Sequence, residues 1–284
     1  MKIYDLQFDD NKTGKKESNF VLDRISPSAL GVYLSCPLAF YYKFIAKIQT
    51  PEMNLHFLFG TSVHKVVEEM SNGDPDPAHW FNDTFKEEEL NDTIRDANGK
   101  TSRDRYHEYR LLGEDMVKNY IALQPTLNNI YKLDGGQAEQ YFRKQLVNPI
   151  TGELSRIPVS GILDKYLAGN RVLEYKTSAK PWSKEETRFK IQSRIYSLFA
   201  FTETGKIPEE VLYFILLKKF KKTSRDKTLQ VIRYKPTIED LAEAWEELDT
   251  VLDQIEHGHF ERPNEYHPPY CDCYKVEKML GLRY

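Results

Sequence analysis

Two segments near the middle of the chain place acidic and basic side chains where they can meet. Asp164 lies in the first segment, and Glu174 and Lys176 lie in the second. The second segment alternates with a period of two, so Glu174 and Lys176 leave the same face of a predicted strand. Carboxylate oxygens are ligands that Mg²⁺ and Mn²⁺ prefer, and a nearby ammonium group can stabilise negative charge on a phosphate. These residue types predict a metal-dependent phosphodiesterase site with all three side chains as catalytic residues.

The loop between the two segments decides whether the two carboxylates meet. Ala168-Gly169-Asn170 is typical of a tight turn between strands. Residues directly opposite each other in an antiparallel pair share a face. A two-residue turn would pair Asp164 with Tyr175, whereas a three-residue loop would pair Asp164 with Glu174. We therefore predict the three-residue loop, with Tyr175 turned into the hydrophobic layer.

Helices and strands that could position this site are predicted on both sides of it. Ser26-Pro27 predicts a helix start, and Cys36-Pro37 interrupts that helix. A capping box at Ser183 predicts a helix that continues to about Thr204. Val211 to Leu217 is a continuous apolar segment, which is typical of a central strand. Thr237 to Glu256 predicts a further helix.

The order and spacing of these motifs resemble the PD-(D/E)XK nucleases. Within that superfamily the chain resembles the RecB-like exonuclease branch, which includes the AddB and CRISPR-associated relatives. Leu163 stands where the name of the family has its proline. The segment from Ser26 to Phe44 also resembles the opening of RecB-like nuclease domains, which extends the resemblance to most of the chain. The positions that match the central motifs are Gly161, Asp164, Glu174, Lys176, Gln192 and Tyr196.

The resemblance implies an α/β fold, in which a mixed central β-sheet is flanked by helices around a restriction-endonuclease-like core. Helical elaborations are expected at the N-terminus and in the middle of the chain. We predict an N-terminal leader over 1–25 and a single nuclease domain over 26–262. That domain would carry a helical insertion at about 74–135, and a cysteine-containing tail over 263–284 would pack on it.

The resemblance also implies further site residues. Gly60 and His64 fit the family pattern G-x-x-x-H, so His64 is expected to bind metal together with Asp164, Glu174 and the carbonyl of Tyr175. Judged without the family, a histidine beside an apolar helix face is usually structural. Glu139 stands where related nucleases place another acidic residue, although a surface glutamate is an equally good interpretation.

The substrate is expected to contact two groups of polar side chains. Gln192 and Tyr196 share one helix face and are expected to bind a phosphate or a base, although a buried tyrosine satisfied by glutamine is the plainer alternative. The lysines after the apolar strand could bind DNA phosphates or could form an ordinary solvated loop, and the sequence leaves both open. The lysines in question are Lys218, Lys219, Lys221 and Lys222.

The three cysteines match a known cluster pattern of the family only in part. Several RecB-like nucleases hold an iron–sulfur cluster with one N-terminal cysteine and three C-terminal ones. Cys36 fits the first position, but Cys271 and Cys273 leave one ligand missing. Four-iron clusters ordinarily need four thiolates, so we expect no stable cluster. We expect Cys36 to lie close to Cys271 or Cys273 as a buried, reduced thiol.

Composition is consistent with a globular protein and excludes several classes. The 284 residues are 40% hydrophobic and carry a net charge of −3. No apolar segment approaches the ~20 residues that cross a bilayer, no signal peptide is evident, and an odd number of cysteines argues against a disulfide scaffold. We predict a cytoplasmic protein that has no membrane partner.

The central residues predict a metal-dependent phosphodiesterase, and the resemblance implies a Mg²⁺- or Mn²⁺-dependent deoxyribonuclease, an exonuclease of DNA repair or recombination. Its partner is DNA, and any helicase or recombination protein would be a separate chain, since no Walker motif is present. Two alternatives stay open. One is a catalytically silent nucleic-acid-binding or assembly module, although Asp164, Glu174 and Lys176 are all present. The other is a hydrolase of small phosphate esters.

Overall fold

A five-stranded mixed sheet forms the centre of the computed structural model. The structure describes residues 22–48, 55–90, 95–96, 98–185, 190–219, 228–263 and 271–282. Neighbouring strands follow chain order across the sheet and are antiparallel, except that β3 and β4 are parallel. The strands are β1 (Gln137–Lys144), β2 (Val159–Leu167), β3 (Arg171–Ser178), β4 (Glu210–Leu217) and β5 (Leu229–Tyr234). The α/β fold predicted from the sequence is confirmed.

Helices cover both faces of this sheet. Within the described part of the chain none has the length and apolar character needed to cross a bilayer. The helices are α1 (Pro27–Ser35), α2 (Pro37–Phe40, continued by a π-helix over Tyr41–Ile45), α3 (Leu55–Ser71), α4 (His79–Thr84), α5 (Tyr106–Tyr131), α6 (Ile191–Thr204), α7 (Ile238–Glu256) and α8 (Asp272–Met279).

Local sequence explains where most of these helices begin. The Ser26 hydroxyl accepts a hydrogen bond from the Ala29 amide and caps α1, and Thr237 forms a reciprocal capping box with Asp240 at the start of α7. The expectation for α6 is wrong in one respect. Its N-cap is Lys190 in an extended conformation, so α6 begins at Ile191 and does not run continuously from Ser183.

The sheet separates two hydrophobic cores. One core lies under α1, α6 and α7, and the other lies under α3, α4 and α5. β4 is buried along its whole length, which agrees with its continuous apolar sequence. Its residues alternate between the cores: Tyr213 and Ile215 face the first, whereas Leu212 and Phe214 face the second. The sheet is therefore covered on both faces where β3 and β4 run parallel.

Candidate active site

The candidate site opens where β2 and β3 separate. These strands pair only beside their loop, and the pairing ends with Lys165 opposite Leu173, whereas β2 continues to pair with β1. Beyond that pair, the Tyr175 amide donates a hydrogen bond to a side chain of β2, because Asp164 Oδ2 accepts it at 2.6 Å. The sheet is therefore forked at Asp164, and side chains from both layers of helices can enter the fork.

The loop between β2 and β3 has the predicted odd length. Ala168–Asn170 separates the strands, and the register that follows would place Asp164 opposite Glu174 one position beyond the last pair. The ladder ends before that position because the strands diverge. Both carboxylates nevertheless line one cleft, whereas Tyr175 is buried in the core beneath α5. Strand parity thus predicted the correct loop but not the fork.

Glu174 is the most deeply buried acidic group of the cleft, with 1% of its surface exposed. Its Oε1 accepts hydrogen bonds from Lys176 Nζ at 2.5 Å and from Gln192 Nε2 at 2.7 Å. Its Oε2 has no hydrogen-bond partner among the described residues. A buried carboxylate oxygen without a partner is costly, so this atom is a strong candidate for binding a cation.

Asp164 connects the fork to α3. His64 Nδ1 lies 3.4 Å from Asp164 Oδ1, and the other carboxylate oxygen is occupied by the Tyr175 amide. Gly60, one turn before His64, faces β3, and an added Cβ there would lie 3.7 Å from Thr177 Oγ1, an ordinary van der Waals distance. The G-x-x-x-H spacing therefore places a small residue at the helix–sheet contact and a histidine at the carboxylate.

Gln192 and Tyr196 enter the fork from α6. Gln192 Nε2 donates both to Glu174 Oε1 and to the Tyr196 hydroxyl, the latter at 2.9 Å. The Tyr196 hydroxyl in turn donates to the Ile162 carbonyl at 2.7 Å. This chain of hydrogen bonds holds the Glu174 carboxylate against the separated end of β2. It indicates that both side chains position Glu174, and direct contact with a substrate stays a prediction.

Two more acidic residues face the same cleft. Glu139 lies on β1 at the position opposite Asp164, and its backbone is left-handed with a φ of 47°, which is uncommon for glutamate. Glu68 lies one turn after His64 on α3 and lines the cleft as well. We weighed Glu139 from the sequence but missed Glu68, although its spacing of four residues from His64 places it on the same helix face.

The charges in the cleft shift one another's pKa values. Burial, reinforced by the charge of Asp164, raises the pKa of Glu174 to about 7. Burial lowers the pKa of His64, but the contact with Asp164 outweighs that effect and the net pKa is raised. Burial likewise opposes the charge of Lys176, yet Glu174 and Asp164 raise its pKa overall. The cleft thus has an excess of negative charge that an added cation would relieve.

The residues present fit a divalent metal ion. Asp164 and Glu174 offer hard carboxylate oxygens, His64 offers an imidazole nitrogen, and Glu174 Oε2 is buried without a partner among the described residues. The Tyr175 amide nitrogen already faces Asp164, and binding of metal by the Tyr175 carbonyl stays a prediction. These are the groups that would hold the ion.

The cleft has two connected lobes of about 550 and 600 Å³. His64, Asp164 and Lys176 line both lobes. Three large apolar side chains stand exposed at the rim, and they are Phe57 (77% exposed), Tyr141 (58%) and Ile162 (49%). With a cation held at the acidic centre, a cleft with this apolar rim would suit a ligand that carries both phosphate and flat, apolar groups.

The predicted basic segment begins at the end of β4. Lys218 is half-buried, with its Nζ 5.1 Å from the centroid of the Phe59 ring, and burial lowers its pKa. The ring belongs to α3, the helix that also carries His64. Lys219 follows it and is partly buried. Lys221 and Lys222 lie outside the described residues.

Comparison with known proteins gives one family. The family model described as the PD-(D/E)XK nuclease superfamily matches residues 24–276. A search of curated proteins found no significant match.

Comparison with solved structures supports the same fold. The crystal structure of a candidate exonuclease from Eubacterium rectale superimposes with a TM-score of 0.52 and 16% identity, and the alignment covers 94% of this chain and 92% of that chain. The structure of SSO0001 aligns with a TM-score of 0.33 and 14% identity, covering 62% of this chain and 77% of that one. At these identities the first likeness shows the fold alone, and the second carries no argument.

Proposed function

The chain belongs to the PD-(D/E)XK nuclease superfamily, and from that premise we propose that it is a Mg²⁺- or Mn²⁺-dependent deoxyribonuclease of the RecB-like branch that acts as an exonuclease. One observation carries the proposal above all others. Glu174 is buried beside Asp164 and His64, and its Oε2 has no partner within the described residues. A costly arrangement of this kind, in a cleft beside two further candidate ligands, favours binding of a cation by the carboxylate.

Each residue of the fork has a distinct role in this proposal. Asp164, Glu174 and His64, together with the Tyr175 carbonyl, would hold the metal. When bound, the ion lowers the pKa of water toward neutral pH and neutralises the charge that develops on the phosphate. Lys176, whose pKa is raised, stays protonated. Its ammonium group would orient the attacking water and stabilise the negative charge on the phosphate. Gln192 fixes the Glu174 carboxylate through the hydrogen bond at 2.7 Å.

A polymeric substrate is favoured over a small phosphate ester. The acidic centre occupies only part of the cleft, because α3 residues and the exposed Phe57 and Ile162 line both lobes, and the start of α1 lines one of them. A small ester would leave most of that surface unused. The catalytically silent alternative is disfavoured because Asp164, Glu174 and Lys176 converge in the fork. DNA as the substrate and a role in repair or recombination are inferred from the family resemblance. A cytoplasmic location is inferred from the composition of the chain, and any helicase partner is proposed as a separate chain because the sequence carries no Walker motif.

The decisive experiment uses end-labelled linear and covalently closed circular DNA, each single- and double-stranded, with Mg²⁺, Mn²⁺ or chelator. We expect cleavage of linear DNA from an end, loss of activity with chelator, and loss in Lys176→Met, which keeps the length of the side chain and removes its charge. Cleavage of circular DNA would replace the exonuclease assignment with an endonuclease one. Failure of the wild-type protein to cleave any of these substrates, or RNA of the same sequence, would favour the silent module.

A further inference from the structure

Away from the cleft, the three cysteine sulfurs of the chain meet at one place. The Sγ atoms of Cys36, Cys271 and Cys273 all lie within 4.8 Å of one another. Cys36 and Cys273 are buried and Cys271 is partly exposed. The chain contains only three cysteines, and they come from opposite ends of the sequence. Their convergence is therefore a product of the fold and not of local spacing.

Secondary structure orients each of the three sulfurs. Cys36 precedes α2, and its Sγ accepts a hydrogen bond from the Ala39 amide at 3.3 Å. Cys271 immediately precedes α8, and Cys273 lies in the first turn of that helix. The Cys273 thiol lies 3.3 Å from Cys271 Sγ. Amide hydrogen bonds to sulfur are the outer contacts that commonly support metal-bound thiolates.

The spacing suits one metal ion bound by all three sulfurs. Thiolates bound to a tetrahedral Zn²⁺ at about 2.3 Å lie about 3.8 Å from one another, so small side-chain adjustments suffice. We propose that Cys36, Cys271 and Cys273 bind a single thiophilic divalent ion, for which Zn²⁺ is the best match. The ion displaces the three thiol protons to solvent, and no electron is transferred. Its fourth position is left to water or another ligand.

Two other uses of the sulfurs fit less well. A four-iron cluster ordinarily needs four thiolates, and the chain has three cysteines in total. A disulfide would need an oxidant and would use only two of the three sulfurs. The third thiol would then have no role in the bond. A tetrahedral ion that prefers sulfur and has no redox chemistry uses all three.

Metal binding would join α8 to the start of the nuclease fold. α8 meets α2 through a small hydrophobic cluster, separate from the two main cores, that contains Cys36, Ala39, Tyr42, Cys273 and Val276. So few apolar side chains bury little surface. A metal ion bound by Cys36 and Cys271 would close the long loop of chain between these residues. Such a link should restrict the unfolded ensemble and stabilise the attachment of α8.

The experiment measures metal content and spectra of the full-length protein purified anaerobically. Zinc, iron and acid-labile sulfide are counted per chain in a Glu174→Gln background, so that an ion in the cleft does not enter the count. We expect about one zinc per chain, no sulfide, and loss of that zinc in Cys36→Ser, Cys271→Ser and Cys273→Ser. Ser35→Ala is the matched control, because it changes the neighbouring residue and leaves all three sulfurs. It should retain the ion.

Cobalt gives a second measurement that does not depend on the variants folding. Apo wild-type protein titrated with Co²⁺ should develop a thiolate-to-cobalt charge-transfer band that saturates at one equivalent and disappears when Zn²⁺ is added. Hydrogen exchange of α8 should speed up when the ion is removed. Stoichiometric iron with sulfide, a disulfide found by mass spectrometry, or three free thiols that give no cobalt band would each overturn the proposal.

Discussion

At the scale of single residues, the candidate site is organised around the two oxygens of Glu174. One oxygen accepts from Lys176 and Gln192, and the other has no partner among the described residues. The first oxygen therefore fixes the orientation of the carboxylate, and the second is the one that a cation would bind. Asp164 shows the same division, since one oxygen holds the Tyr175 amide and the other faces His64. In each carboxylate, one oxygen makes hydrogen bonds that fix its orientation, and the other oxygen is the one proposed to bind the metal ion.

Alanine at Asp164, Glu174 or Lys176 should abolish nuclease activity and preserve the fold. Removal of groups that act on developing charge commonly lowers the rate by ~10²-fold or more. Lys165→Ala is the control, because Lys165 is a charged residue next to Asp164 on β2. Single-turnover cleavage rates and circular dichroism would be compared for all four variants. Near-normal turnover in any of the first three would contradict the proposed mechanism.

Glu139→Gln should stabilise the protein in chelator at pH 8 but not at pH 4. Burial and the charge of Asp164 raise the pKa of Glu139 to about 7, above its ordinary value of 4.5. The folded state then binds more protons than the unfolded state between these values, so wild-type stability falls as pH rises through that window. Glutamine carries no charge, so the variant does not lose the free energy of unfolding that ionised Glu139 costs the wild-type protein at pH 8. Urea unfolding at the two pH values measures it, and an equal effect of the substitution at both would contradict it.

At the scale of elements, the fork between β2 and β3 brings α3 and α6 to one place. In a continuously hydrogen-bonded sheet, the strand backbone separates the side chains on one face from those on the other face. Here the Asp164 carboxylate interrupts the ladder, and the freed Ile162 carbonyl accepts from Tyr196 on α6. His64 reaches the same carboxylate from α3. The fork therefore supplies the concave surface that the exposed apolar rim borders.

The exposed rim of the cleft should contact unstacked bases. Phe57 lies two helical turns before His64 on α3, and Tyr141 pairs with Ile162 across β1 and β2. Stacking of a base on an aromatic side chain contributes ~1–3 kcal/mol. We expect Phe57→Ala and Tyr141→Ala to weaken binding of single-stranded oligonucleotides in chelator, measured by fluorescence anisotropy, and to change duplex binding little. Phe57→Tyr keeps the ring and should bind normally.

A loss in Phe57→Ala and Tyr141→Ala that is equal for single strands and duplexes would show that the rim does not distinguish them. An unchanged affinity in both variants would remove the rim from the substrate site. Neither result would affect the assignment of the catalytic residues.

The basic segment after β4 should contribute to DNA affinity through its charge. Replacing Lys218, Lys219, Lys221 and Lys222 by glutamine should weaken binding and flatten its dependence on salt, because fewer counterions are released. Lys180→Gln and Lys184→Gln together provide a control at lysines between β3 and α6. The slope of log affinity against log salt measures the effect. A slope unchanged from wild type would assign these lysines to an ordinary solvated loop.

At the scale of the whole molecule, α4 and α5 pack into the hydrophobic core that also contains α3 and one face of the sheet. α5 packs on the sheet through the core that contains Tyr120, Tyr175 and Phe214. The Tyr120 hydroxyl donates to the Tyr175 hydroxyl at 3.0 Å, and both are buried. The helical insertion predicted over about 74–135 thus covers the face of β3 opposite to Glu174. The domain boundaries themselves stay predictions.

Tyr120→Phe should lower the free energy of unfolding by about 1 kcal/mol, since it leaves the buried Tyr175 hydroxyl without this donor. The paired change Tyr120→Phe with Tyr175→Phe should recover part of that loss, because neither hydroxyl then remains. Chemical denaturation of both single variants, Tyr120→Phe and Tyr175→Phe, and of the double variant measures these values. A double variant that loses the sum of two independent single effects would show that the hydroxyls do not interact.

Local sequence was sufficient to predict the fold class, the family and the loop between β2 and β3. Strand alternation and the parity of Ala168–Asn170 depend only on backbone geometry, so the sequence alone groups Asp164, Glu174 and Lys176. The continuous apolar character of β4 likewise predicted its central position. The capping box at Ser183 misled the prediction of α6, because an extended residue at Lys190 separates it from that helix.

Tertiary structure decided what local spacing could not. The fork at Asp164, the contact of His64 with Asp164, and the convergence of Cys36 with Cys271 and Cys273 all join residues that are far apart in the chain. The family resemblance implied the last two contacts, but spacing within one element does not determine them, because they depend on how the helices pack on the sheet. The Glu174 oxygen without a partner among the described residues is likewise a property of packing, since burial removes the water that would otherwise solvate it.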